Sequence, residues 1–199
     1  LVAAVEEATN AGSYVAAHLY TDEAILRAIE CGIRSLEHCN LITSETARLA
    51  AQMGCIACPT LITYDKLKSE GASMGLPPAS IAKVDDVRLR GLESLTIMQD
   101  AGLPMAYGSD LLGGMQPHQL GEFELRGQVL SPLTVIQSTT VIAAKLLRME
   151  GIIGTLQPGA FADLILLERN PLEDLSIFSG QGEGIKTIVK DASIVKHLS

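Results

Sequence analysis

Residues 14–38, YVAAHLYTDEAILRAIECGIRSLEH, decide the fold. The first seven make a short apolar run of strand length that carries one imidazole, His18. Thr21 follows, a residue type whose hydroxyl caps helix N-termini, and Asp22 and Glu23 fill the first turn, where the helix dipole favours carboxylates. The helix runs to Cys31 and meets Gly32, the residue that most easily ends a helix in the left-handed conformation. IRSLEH (33–38) is then a second strand, ending on a second imidazole, His38. A strand, a capped helix, a glycine stop and an immediate new strand make one parallel β/α unit.

The unit recurs on either side of this stretch. VAAVEEATNAG, before it, reads as a helix. After it, a helix over about 43–53 ends at Gly54 and gives way to the strand CIACPTL (55–61). Residues 62–80, ITYDKLKSEGASMGLPPAS, read as a long loop of the kind that forms lids and binding loops. A helix over 80–101 stops at Gly102 before the strand LPMAYGSD (103–110). Ser131 and Pro132 open a further helix predicted to reach 148, with apolar residues recurring at helical spacing. After Gly151 the character changes. GTLQPGAFADLILLERNP reads as turn, strand, turn, and IKTIVKDASIVKHL (185–198) as two short strands around Lys190-Asp191. The expected division is therefore 1–150, a set of β/α units, and 151–199, a small β appendage.

Composition limits the function classes. Hydrophobic residues are 47% and charged residues 19%, enough core material to exclude disorder. The net charge of −8 comes without a basic cluster, which argues against nucleic acid or an anionic membrane as partner. No uninterrupted apolar stretch approaches the ~18 residues of a membrane span. The start lacks a signal-peptide n-region, so a cytoplasmic protein with reduced thiols is expected. Of the four cysteines, Cys55 and Cys58 form a CxxC. An offset of three within a strand puts their side chains on opposite faces, against a zinc or redox pair. Glu122 and Glu124 read as a solvated helix face.

The residues that carry chemistry are grouped. His18, His38 and Asp110 each fall at or near the C-terminal end of a predicted strand, the active face of a β/α barrel. Imidazole nitrogen and carboxylate oxygen are the ligand types of hydrolytic zinc. Adjacent strand ends can converge on one ion. Tyr20 shares the strand face of His18 and can offer a phenol to a substrate carboxylate. His118, in the loop LLGGMQPHQ after Asp110, is a second candidate for substrate contact.

Five segments, in order, carry a resemblance: VAAHLYT, SLEHCNLI, PMAYGSDLL, TVIQSTTVIAAKLLRM (134–149) and GTLQPGAFADLILLERNPLEDL. Together they resemble the C-terminal half of amidohydrolase-superfamily enzymes, in the imidazolonepropionase-related branch that includes metal-dependent Xaa-Pro dipeptidases. The resemblance implies an α/β fold, strands 5–8 of a (β/α)8 TIM-type barrel plus strands of a small β-sandwich domain. It implies metal ligands at His18, His38 and Asp110 and one or two Zn2+ ions, with other divalent metals open. The implied reaction is amide-bond hydrolysis of small peptides such as Xaa-Pro dipeptides. Metal-activated hydroxide attacks, and Asp110 shuttles the proton. A small-molecule or dipeptide substrate is the implied partner, with a homo-oligomer expected at full length. The family's HxH pair and bridging lysine have no counterpart here, so the chain is expected to be a fragment, active only with the N-terminal half. Two alternatives stay open: an imidazolonepropionase-like or deaminase-type hydrolase of cyclic amides or amidines, and an inactive half-barrel or scaffold.

Overall fold

The computed structural model describes residues 1–198. Helix α1 (Val2–Asn10) leads to β1 (Ala16–Thr21), α2 (Asp22–Glu30), β2 (Ser35–Leu41), α3 (Ser44–Gln52) and β3 (Ile56–Cys58). These three strands form a parallel sheet in the order β1-β2-β3. The cap read from the sequence is present, since the Thr21 hydroxyl accepts from the Ala24 amide. Gly32 takes a φ of 94°, which stops α2 and lets Ile33 turn back into the sheet. Helices α2 and α3 pack one face of the sheet together with α5 (Pro78–Asp100), the long helix predicted over 80–101. Ile25, Ile29, Ile33, Leu36, Leu95 and Met98 are fully buried there. Burial of each such side chain contributes about 1.5–3 kcal/mol.

Three expectations are corrected. Residues 62–80 are not one long loop. Leu61–Glu70 is helix α4, whose first four residues are buried. Its cap is not local: the Ile62 amide donates to Glu122 Oε2, 2.7 Å away and 60 positions on, so nothing beside the helix announces it. The helix expected over 131–148 is two, α7 (Pro132–Thr139) and α8 (Val141–Leu146), broken at Thr140 (φ −120°, ψ −97°). The cause is a β-branched run in which the Thr139 and Thr140 hydroxyls both bond the Ile136 carbonyl, each at 2.8 Å. The strand expected over 103–110 is reduced to one bridge, Met105 beside Ala57. Pro104 has no amide to give, and the Tyr107 amide goes to the Ser138 carbonyl instead.

Between Asp110 and α7 lie a 3-10 turn (Gly113–His118) and helix α6 (Gly121–Gly127). Beyond Gly151, β4 (Leu164–Leu167), β5 (Ile185–Lys190) and β6 (Ser193–His197) make a separate antiparallel sheet in sequence order. Among the described residues, no helix is long and apolar enough to cross a membrane.

Candidate functional site

Side-chain alternation builds one half of the site and a break in alternation builds the other. In β1, Leu19 is buried in the core under the helices, so His18 and Tyr20 project from the opposite face, where both are exposed. In β2, strict alternation would send Leu36 and His38 into the same core. Instead Leu36 and Cys39 are both in it, fully buried. The shift occurs where His38 and Cys39 take left-handed φ values of 73° and 55° and the β1–β2 register slips between Leu19 and Thr21. An irregularity of this kind re-aims a side chain at a sheet end. Here it swings His38 toward His18.

The two imidazoles meet nitrogen to nitrogen, His18 Nδ1 to His38 Nε2 at 2.8 Å. The other nitrogen of His38, Nδ1, is 2.8 Å from the Thr60 hydroxyl. With Thr60 accepting from Nδ1–H, the Nε2 lone pair is left facing His18. The Tyr20 ring stacks on His38 at 4.8 Å between centroids, and Tyr64 stands edge-on to both rings. Burial pushes the His38 pKa below its ordinary value. The Asp110 carboxylate opposes that shift and His18 adds to it. The imidazole is therefore neutral at pH 7, the form that ligates metals. Burial likewise raises the Tyr64 phenol, whose charge would be further opposed by Tyr20 and Asp110. The Tyr64 hydroxyl is buried without a hydrogen-bond partner among the described residues.

Asp110 lies close enough to act electrostatically on both His38 and Tyr64, and it is exposed. Its φ is 49°, like that of His38 a left-handed value that costs a non-glycine residue energy and that gathers at functional sites. The glycine before Ser109 is required by space. A Cβ on Gly108 would sit 2.6 Å from Cys58 Sγ and 3.2 Å from Thr60 Cγ2.

Behind this face sits a second polar group. Glu122 and Arg126 are entirely buried and joined at 2.8 Å, which corrects the reading of Glu122 as solvated; Glu124 is exposed. Arg126 also donates to the carbonyls of Pro59 (2.6 Å) and Ala106 (3.0 Å), and its guanidinium lies over the Tyr107 ring. Burial raises the Glu122 carboxyl, and Arg126 with the α4 amides pulls it back. The charged pair is the state that satisfies all of these donors.

Of the residues singled out by sequence, the structure brings His18, His38 and Tyr20 together, with Asp110 within electrostatic reach of His38. It does not bring His118, whose Nε2 is 3.0 Å from Glu70. Cys55 and Cys58 lie in different clusters on the two faces of the sheet, and burial pushes the Cys58 thiol up to about 12. Thr60, Tyr64 and Arg126 were not singled out, and Glu122 was read only as part of a solvated helix face. Thr60 alone had a local signal, as a threonine in the same place before its helix as Thr21. The donor set suits a divalent cation in kind, two imidazole nitrogens facing one another with a carboxylate nearby. Among the described residues, no three His, Cys, Asp or Glu side chains close into a metal-holding group.

A parallel α/β half-sheet with paired histidines at its rim defines the class, and comparison with known proteins supplies the family. The chain belongs to the Amidohydrolase family, which matches residues 1–194. It is 48% identical to an amidohydrolase of known structure, with a TM-score of 0.97 over 99% of this chain and 48% of that one. It is 44% identical to a prolidase complexed with N-methylphosphonate-L-proline, with a TM-score of 0.96 over 99% and 48% of the two chains. Ochratoxinase from Aspergillus niger is 29% identical over 175 residues, 87% of this chain and 36% of that enzyme. The chain thus spans about half the length of the solved relatives it matches, and about a third of ochratoxinase.

Proposed function

We propose that the protein, at its full natural length, is a metal-dependent hydrolase of amide bonds in small peptides, with Xaa-Pro dipeptides as the substrate class. The observation that carries this reading is the pair of facing nitrogens at 2.8 Å with the far nitrogen of His38 tied to Thr60. An imidazole whose far nitrogen is hydrogen-bonded, leaving a lone pair on the other nitrogen, is the usual form of a metal ligand. Similarity to the prolidase supports the choice of substrate class.

In this reading His18, His38 and Asp110 hold one or two zinc-class ions. When bound, such an ion supplies Lewis acidity at the scissile carbonyl and makes water acidic enough to attack near neutral pH. The Asp110 carboxylate takes the proton from that water and returns it to the departing amine. Tyr20 and Tyr64 offer phenol hydroxyls beside His38, Tyr20 to the substrate carboxylate. His118 faces Glu70 rather than the paired imidazoles, so Tyr20 is the substrate contact in this reading. A cytoplasmic location and a homo-oligomeric full-length enzyme belong to the same proposal.

The test uses the longest natural chain containing this sequence, loaded with zinc and assayed on a panel of Xaa-Pro and other dipeptides. Asp110→Asn is expected to keep most of its metal and lose about 10²–10⁴-fold in turnover, the contribution of a general acid–base group. His18→Ala and His38→Ala are expected to lose metal and activity together. Near wild-type turnover in Asp110→Asn would remove the proton-shuttle role, and full metal content in both histidine variants would remove the metal site.

A further inference from the structure

We infer that Glu122 and Arg126 are positioning residues for His38, acting through Thr60. Three threonines stand immediately before three successive helices: Thr21 before α2, Thr43 before α3 and Thr60 before α4. Thr21 and Thr43 have the extended backbone of an N-cap, with ψ of 152° and 162°, and their hydroxyls accept from the amides of Ala24 and Thr46. That is the ordinary work of a threonine there. Thr60 departs from both. Its ψ is 67°, its hydroxyl makes no cap bond, and the same oxygen lies 2.8 Å from His38 Nδ1.

A helix start left uncapped in a buried place would cost too much to persist. Helix α4 is capped instead by the Glu122 carboxylate, which accepts from the Ile62 amide at 2.7 Å. Glu122 is held in turn by Arg126 Nε at 2.8 Å, and Arg126 Nη2 donates at 2.6 Å to the carbonyl of Pro59, the residue before Thr60. The pair therefore does two things to one residue. It takes over the capping that Thr60 would otherwise perform, and it anchors the backbone from which the Thr60 hydroxyl reaches His38. Remove the carboxylate, and the free α4 amides compete with His38 for that hydroxyl. The tautomer of His38, and with it the direction of the Nε2 lone pair, loses its lock.

This inference rests on His38 as a metal ligand only for its second readout. In the metal-free full-length protein, 15N NMR of the His38 imidazole reads the tautomer directly. We expect a single Nδ1–H form in the wild type and a mixture in Glu122→Gln and in Thr60→Val, with Thr60→Ser like the wild type. Zinc titration of the same proteins is expected to show affinity about 10–100-fold weaker in Thr60→Val and in Glu122→Gln, the usual loss when the partner of a ligating histidine is removed. The double variant should be no weaker than Thr60→Val alone, because both act through one hydroxyl. Should Glu122→Gln fail to fold, the charge-free pair Glu122→Leu with Arg126→Met keeps the volume and makes the same test. An unchanged tautomer and zinc affinity with only a lower Tm would overturn the inference, as would losses that multiply in the double variant. Absence of zinc binding in the wild type beside a shifted tautomer in Glu122→Gln would sink the metal reading and leave the positioning role standing.

Discussion

Two polar groups flank Thr60, and they are built on opposite rules. Around Arg126 everything is closed: both charged side chains are fully buried and hydrogen-bonded. Around His38 things are left open. His18 and Tyr20 are exposed, the Tyr64 hydroxyl is buried with no hydrogen-bond partner among the described residues, and His38 and Asp110 hold left-handed backbone angles. A polar cluster whose bonds are all made inside the protein specifies one arrangement and has nothing to offer a ligand. A cluster with unused donors and strained backbone has capacity left over. The first group then gives stability and a fixed frame for Thr60, and the second gives binding.

The largest expected effect tests the closed side. Arg126→Met alone leaves the Glu122 carboxylate buried and unpaired, and is expected to lose about 3–5 kcal/mol of unfolding free energy. Adding Glu122→Leu should restore part of that loss by removing the unpaired charge, the remainder being the Ile62 amide and the Pro59 and Ala106 carbonyls left without partners. Denaturant unfolding of the two variants reads both values. A loss under 1 kcal/mol in the single variant would mean that the pair is not sealed from water, and the contrast would fail there.

The smaller effect tests the open side. Tyr64→Phe removes only an oxygen that has no hydrogen-bond partner among the described residues, so folding should be unharmed or gain on the order of 1 kcal/mol, the lower end of the cost of an unsatisfied buried group. Dipeptide binding, measured by calorimetry on the same variant, should weaken. A drop in Tm would show that the hydroxyl is structurally engaged and that Tyr64 belongs with the closed cluster.

Much of the scaffold was legible in the sequence, and the reason is locality. Thr21 caps an amide three residues ahead, Gly32 ends the helix behind it, and apolar strands of fixed length separate the helices. Each signal acts within one turn of itself. His18, on a regularly alternating strand, was legible for the same reason. His38 was legible as a residue at a strand end but not in its aim, because alternation alone points it into the core beside Leu36. Thr60 looks like Thr21 and Thr43 in sequence and differs in its backbone and in its partner, a histidine 22 positions earlier. Glu122 has the polarity of a surface residue, and the amide that buries it is 60 positions away. Helix α4 was missed with it, since a helix capped from afar carries no cap of its own.

The reach of Arg126 also says something about time. Its bond to the Pro59 carbonyl closes a span of 67 residues, and that of Glu122 to Ile62 one of 60. Contacts of such separation pay their loop-closure entropy before they return anything, so they form after the local β/α units. The His38 side chain is then settled among the last events of folding, once sheet and helices exist. Interactions absent from the folding transition state hold the native protein together by slowing its escape. Arg126→Met should accordingly speed unfolding and leave the folding rate nearly unchanged, which a chevron would show. A slowed folding arm would instead place the clamp in the nucleus.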